Sequence, residues 1–98
     1  MIIYISGKIT GTADYMERFA QAEKRLKVLG HKTINPAKKN KGNDGKEWAW
    51  YMRRCIKWLC GADAIYMLRG WRKSPGARLE HQIAVALGMS VFMEEQGI

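Results

Sequence analysis

One carboxylate stands where a carboxylate is costly. Glu80 falls in the stretch RKSPGARLEH, residues 72–81, where Ser74 and Pro75 read as the N-cap and first residue of a helix reaching about Leu87. At about 100° per residue, Ile83, Ala84 and Leu87 lie within roughly 60° of Glu80 on that helix. An acid on such a stripe, near a helix start, can settle the helix dipole or pair with Arg78. It can equally be a group held ready as nucleophile or base. Just ahead of it, Ser74, Gly76 and Ala77 form a small-residue helix entry whose backbone N–H groups suit a phosphate, although Ser-Pro-Gly is also common helix punctuation.

Other reactive side chains are sparse. Tyr4 sits on an apolar run, IIYIS, and by alternation faces opposite to Ile3 and Ile5, either as a core aromatic or as a hydroxyl offered to a site. The segment YISGKITG brings Ser6, Gly7, Ile9 and Gly11 to a strand-to-helix turn. It is neither G-x-G-x-x-G nor a Walker loop, so no dinucleotide cofactor or P-loop chemistry is expected. Cys55 and Cys60 are five apart on a helix, with diverging side chains, and no disulfide is expected between them. His31 and His81 are isolated and no C-x-x-C exists, so neither a metal nor a cofactor site is expected.

The elements that must position these groups follow from periodicity and punctuation. Strands are expected at 2–6, 31–35, 63–68 and 90–94, with helices at about 13–29, 45–60 and 74–87. Thr12 or Asp14 can cap the first helix, Asp44 and Glu47 have capping-box spacing for the second, and Pro36 stops the second strand. Residues 37–46, AKKNKGNDGK, read as a polar loop. Its lysines 38, 39, 41 and 46, with Trp48 and Trp50 alongside, read as solvated charge or as a lid over a nucleotide. The order β-α-β-α-β-α-β implies a compact α/β domain over residues 1–98, flavodoxin-like or Rossmann-like: three layers around a parallel sheet of four strands, with room for a fifth. Ligands of such sheets bind beyond the carboxyl ends of the strands, where strand order reverses. That rule selects SGKITG (Ser6 to Gly11), NPAKK and RGWRKSPGARLE as the candidate binding segments.

Composition sets the outer bounds. A chain of 98 residues, 47% hydrophobic and 27% charged, fits one folded domain. No apolar run approaches a membrane span and no signal peptide is visible, so a cytoplasmic protein with no membrane partner is expected. The net charge of +8, with a pI near 9.8, favours anionic partners. Arg53, Arg54, Lys57 and the loop lysines could serve nucleic acid, but without a reader helix, stacking motif or zinc module nucleic acid ranks last as partner.

Four segments in order, IYISGKITG, GHKTINPA, YMRRCIKWLCGADAIYML and GWRKSPGARLEHQIAVALG, resemble the nucleoside 2-deoxyribosyltransferase family, above all its small bacterial and phage branch. The resemblance implies a glutamate, here Glu80, that attacks C1′ of a deoxynucleoside and displaces the base, with Tyr4 orienting it. Transfer to a second base or hydrolysis would follow. Relatives that hydrolyse nucleoside 5′-monophosphates carry a serine six residues before the nucleophile, the spacing of Ser74. The substrate so implied is a small nucleoside or nucleotide, a 5′-monophosphate before others, and the protein is expected to form a homo-oligomer.

The family usually also has an aspartate eight residues before the acid that opens the third strand, and it helps protonate the leaving base. That acid corresponds to Asp63, counted here with the substrate-binding positions although a turn role suits it by sequence, and the aspartate position is Cys55. A thiol is a poor substitute for a carboxylic acid, so the alternative expectation is a non-catalytic nucleotide-binding or sensing protein.

Overall fold

The computed structural model describes residues 1–97. Strand β1 (Ile2–Ser6) leads into helix α1 (Tyr15–Val28), β2 (Lys32–Ile34), a short helix α2 (Pro36–Lys39) and α3 (Trp48–Cys60). Strand β3 (Ala64–Met67), a 3₁₀ turn at Trp71–Lys73, α4 (Pro75–Ala86), β4 (Ser90–Met93) and a closing 3₁₀ turn at Glu94–Gln96 complete the order. The sheet runs β2-β1-β3-β4 with every pair parallel, the expected flavodoxin-like or Rossmann-like arrangement, with four strands among the described residues.

The two central strands are runs of Ile, Tyr, Ala and Met because both of their faces are covered. On one face Ile3, Ile5 and Tyr66 pack with Phe19, Ala22 and Leu26 of α1. On the other, Tyr4, Ile65 and Met67 pack with Cys55 and Leu59 of α3 and Ala77 and Ala84 of α4. The split follows from topology. The β1-to-β2 crossover moves one way along the sheet and the later crossovers move the other, so right-handed connections put their helices on opposite faces. The order therefore reverses between β1 and β3.

Three local expectations are corrected. Residues 36–39 are helical, because Asn35 caps them through its side chain (Lys38 N–H to Asn35 Oδ1, 3.1 Å) and Pro36 takes the first helical position. Helix α3 starts at Trp48, not near 45: Gly45 takes φ of +78°, Glu47 is extended, and no capping box forms. Leu87 is 59% exposed, so the apolar stripe of α4 ends at Ala84. Cys55 is buried, Cys60 is exposed, and both are free thiols. Among the described residues no helix is long and apolar enough to cross a membrane.

Candidate active site

Beyond the carboxyl ends of β1 and β3, where the order reverses, a cavity of about 290 Å³ opens. Helix α4 turns Gly76, Ala77, Glu80 and Ala84 inward. Three of these are small, which lets the helix lie close to its neighbours. A Cβ on Gly76 would already stand 3.0 Å from the sulfur of Met52. The one long side chain in the row, Glu80, therefore reaches across to β1. Period-two alternation there points Tyr4 and Ser6 to the same face.

Tyr4 donates its hydroxyl to Glu80 Oε2 at 2.5 Å, and Ser6 donates to Oε1 at 2.7 Å. Each carboxylate oxygen so holds one hydroxyl and keeps further lone-pair capacity. Glu80 is only 6% exposed. Among the described residues no lysine or arginine forms an ion pair with it, although the chain carries 17 of them. Burial, unrelieved by a cation, lifts the Glu80 carboxyl to about 7, against the downward pull of the two hydroxyls. Burial likewise pushes the Tyr4 phenol well up, with Glu80 and Cys55 adding to it, so Tyr4 remains a donor.

Cys55 lines the same cavity, and its sulfur accepts a weak bond from Asn40 Nδ2 at 3.8 Å. Burial raises the thiol, more than Tyr4 and Asn40 lower it. The side chain at this position is thus a neutral thiol and a poor proton donor.

The cavity brings together Tyr4, Ser6, Gly7, Ile9, Cys55, Ser74, Gly76, Ala77 and Glu80 from the positions expected by sequence. Gly7 has to be a glycine, since a Cβ there would lie 2.9 Å from the Leu68 side chain. Ser74 caps α4 by accepting from Ala77 N–H at 3.1 Å, which leaves its own hydroxyl proton free to donate. Two expected positions fall elsewhere. Gly11 lies in an exposed turn with φ of +77°, outside the cavity lining. Asp63 precedes β3 and so sits at the amino edge of the sheet, where its carboxylate accepts from Ile2 N–H at 2.8 Å. That bond ties the turn before β3 to β1, and Asp63 does not line the cavity.

The cavity is also lined by side chains outside the site positions expected by sequence, Thr10, Tyr15, Asn40, Asp44, Trp48 and Tyr51 among them, of which Tyr15 and Trp48 are expected on the apolar stripes of their helices. Tyr51 fastens the 40–47 loop over the site, donating its hydroxyl to the Asn43 carbonyl and accepting from Lys46 N–H at 3.3 Å. The loop lysines are not the lid that sequence suggested, because none of Lys38, Lys39, Lys41 and Lys46 lines the cavity. Lys39 lies over the Trp58 ring at 5.0 Å and Lys46 over Trp50 at 5.5 Å. Asn40 was within reach of sequence reasoning, since it follows the capped Asn35-Pro36 turn at the carboxyl end of β2. The loop residues carry no comparable pattern.

A family model described as a domain of unknown function, DUF4406, matches residues 1–93. The chain belongs to this family. No curated protein sequence matches it. Among solved structures it is similar to a 2-deoxyribosyltransferase from the psychrotolerant bacterium Bacillus psychrosaccharolyticus, at a TM-score of 0.76 and 17% identity. The likeness covers 95% of this chain and 71% of the other, and at that identity it is a likeness of fold. The DUF4406 chain thus shares its parallel sheet and its layers with a deoxyribosyltransferase.

Proposed function

We propose that this protein cleaves the N-glycosidic bond of a 2′-deoxynucleoside or its 5′-monophosphate, with Glu80 as nucleophile. The observation that carries the reading is a buried carboxylate, held among the described residues by two hydroxyls and no cation, in a cavity at the switch point of the sheet. A Glu80 oxygen attacks C1′, the C1′–N bond breaks, and its electron pair leaves with the base, which takes up a proton from solvent. The resulting sugar ester is released when water, or a second base, attacks C1′ from the opposite face. Tyr4 and Ser6 hold the attacking carboxylate in place and favour its anionic form.

The phosphate of a 5′-monophosphate would sit at the start of α4, where the Ser74 hydroxyl proton and the Gly76 backbone border the cavity. The basic balance of the chain favours such an anion. A homo-oligomer fits the same reading, since Trp48 is 54% exposed beside the cavity.

The thiol at Cys55 supports a second reading, a nucleotide-binding protein with little turnover, because the leaving base has no strong acid there. One experiment separates the two. Incubation with a panel of nucleosides, 2′-deoxynucleosides and their 5′-monophosphates releases free base on the first reading, and from the deoxy compounds before the ribo compounds. Nucleotide binding without any free base would favour the second.

A further inference from the structure

Arg54 lies on α3, one residue before Cys55, and its side chain is spoken for in an unusual way. Its guanidinium is stacked between two tryptophans of the same helix, 4.8 Å from the Trp50 ring centre and 4.9 Å from Trp58. Spacing i, i+4, i+8 builds that sandwich from a single helix face. Among the described residues it forms no ion pair. Its Nε–H instead donates to Asn40 Oδ1 at 3.1 Å. Arg54 does not line the cavity, whereas Asn40 does.

A guanidinium has only donors, so the amide atom facing it must be the oxygen. That settles the orientation of Asn40: its NH₂ faces Cys55, whose sulfur accepts at 3.8 Å. Sulfur is a weak acceptor and takes one of two hydrogens. The other has no partner among the described residues, on a side chain that lines the cavity.

We infer that Arg54 is a positioning residue: clamped by Trp50 and Trp58, it fixes the Asn40 amide so that the cavity meets an N–H donor beside Cys55. That donor recognises an acceptor atom on the base, a carbonyl oxygen or an unprotonated ring nitrogen. During bond cleavage it would stabilise the charge gathering on the base, in place of a proton donor. The inference rests on the nucleotide reading of the site and adds a specificity element to it.

The test uses binding, so that it does not depend on turnover. Full-length Glu80→Gln protein is titrated with 2′-deoxycytidine 5′-monophosphate, whose base offers a carbonyl oxygen, and with 2-deoxyribose 5-phosphate, which has no base. Adding Arg54→Met is expected to weaken nucleotide binding about five- to tenfold, the scale of one hydrogen bond, and to leave sugar phosphate binding unchanged. In an Asn40→Ala background the same change should have no further effect.

Should Arg54→Met fail to fold, Arg54→Gln replaces it. A glutamine amide offers both donor and acceptor and no longer dictates how Asn40 faces, so the same base-selective loss is expected. Equal weakening of both ligands, no weakening of either, or an undiminished effect without Asn40 would each overturn the inference and leave the nucleotide reading standing. A Glu80→Gln protein that binds neither probe would defeat the nucleotide reading and the inference with it.

Discussion

Two glutamates at the carboxyl edge of the sheet are treated in opposite ways. Glu94, just past β4, receives the Arg25 guanidinium at 2.6 Å and the Arg69 backbone N–H at 2.9 Å, with its side chain 20% exposed. Glu80, which α4 delivers to the end of β1, receives among the described residues the hydroxyls of Tyr4 and Ser6 and no cation, and is more deeply buried. In a chain of net charge +8, a cation for Glu80 would have been easy to supply. Glu94 closes the fold by pinning α1 and the loop after β3 to the end of β4. Glu80 is left unneutralised, which is costly for stability and suits an attacking group.

The comparison breaks most visibly in activity. Glu80→Ala or Glu80→Gln should lower base release by at least about 10³-fold, the scale expected for loss of a covalent nucleophile. Glu94→Gln should leave release within about twofold, because a solvent-screened pair contributes little even to stability, about 0–1 kcal/mol. Steady-state assays on the responsive nucleotide of the panel check both.

Stability should move the other way at Glu80. Its folded-state pKa is raised, so the folded protein holds that proton more tightly than the unfolded chain does. The resulting stability is present in full below the unfolded value of 4.5 and is lost as pH rises through about 7. Above that, the buried anion costs about 3 kcal/mol, taking about 1.4 kcal/mol per pH unit. Urea unfolding of Glu80→Gln should therefore show a gain over wild type of roughly this size at pH 8, shrinking toward pH 5. A gain independent of pH would contradict the assignment.

Cys55→Asp sharpens the contrast from the other side of the cavity. A buried acid beside Glu80 would hold its proton and could give it to the departing base, and release should rise about 10- to 100-fold. The smallest effect is on the pH profile. Release should climb with pH and level off above about 7, where Glu80 is ionised. Tyr4→Phe removes a bond that lowers the Glu80 pKa, so the rising limb should move to higher pH.

What sequence could and could not show has a physical pattern. The buried strands were legible because both faces of β1 and β3 are covered, leaving apolar runs with glycine at their ends. Helix α4 was legible from Ser74-Pro75, and Glu80 from its place on the inward row. The same cap-and-proline signal stands at Asn35-Pro36, where Pro36 both stops β2 and starts α2. Correspondence with relatives places Asp63 along the chain and not at an edge of the sheet; its bond to Ile2 puts it at the far end. Asp44 and Tyr51 are not legible as cavity residues, because their place depends on how a polar loop is tied down, which no periodicity records.

The central claim is that Glu80 is the attacking atom's owner, and covalent trapping tests it most directly. Wild-type protein quenched during turnover of a 2′-deoxynucleoside 5′-monophosphate, then digested and analysed by mass spectrometry, should carry a deoxyribose phosphate ester on the peptide holding Glu80. The ester should be absent from Glu80→Gln. Base release at the wild-type rate by Glu80→Gln, or an ester mapped to any other residue, would contradict it.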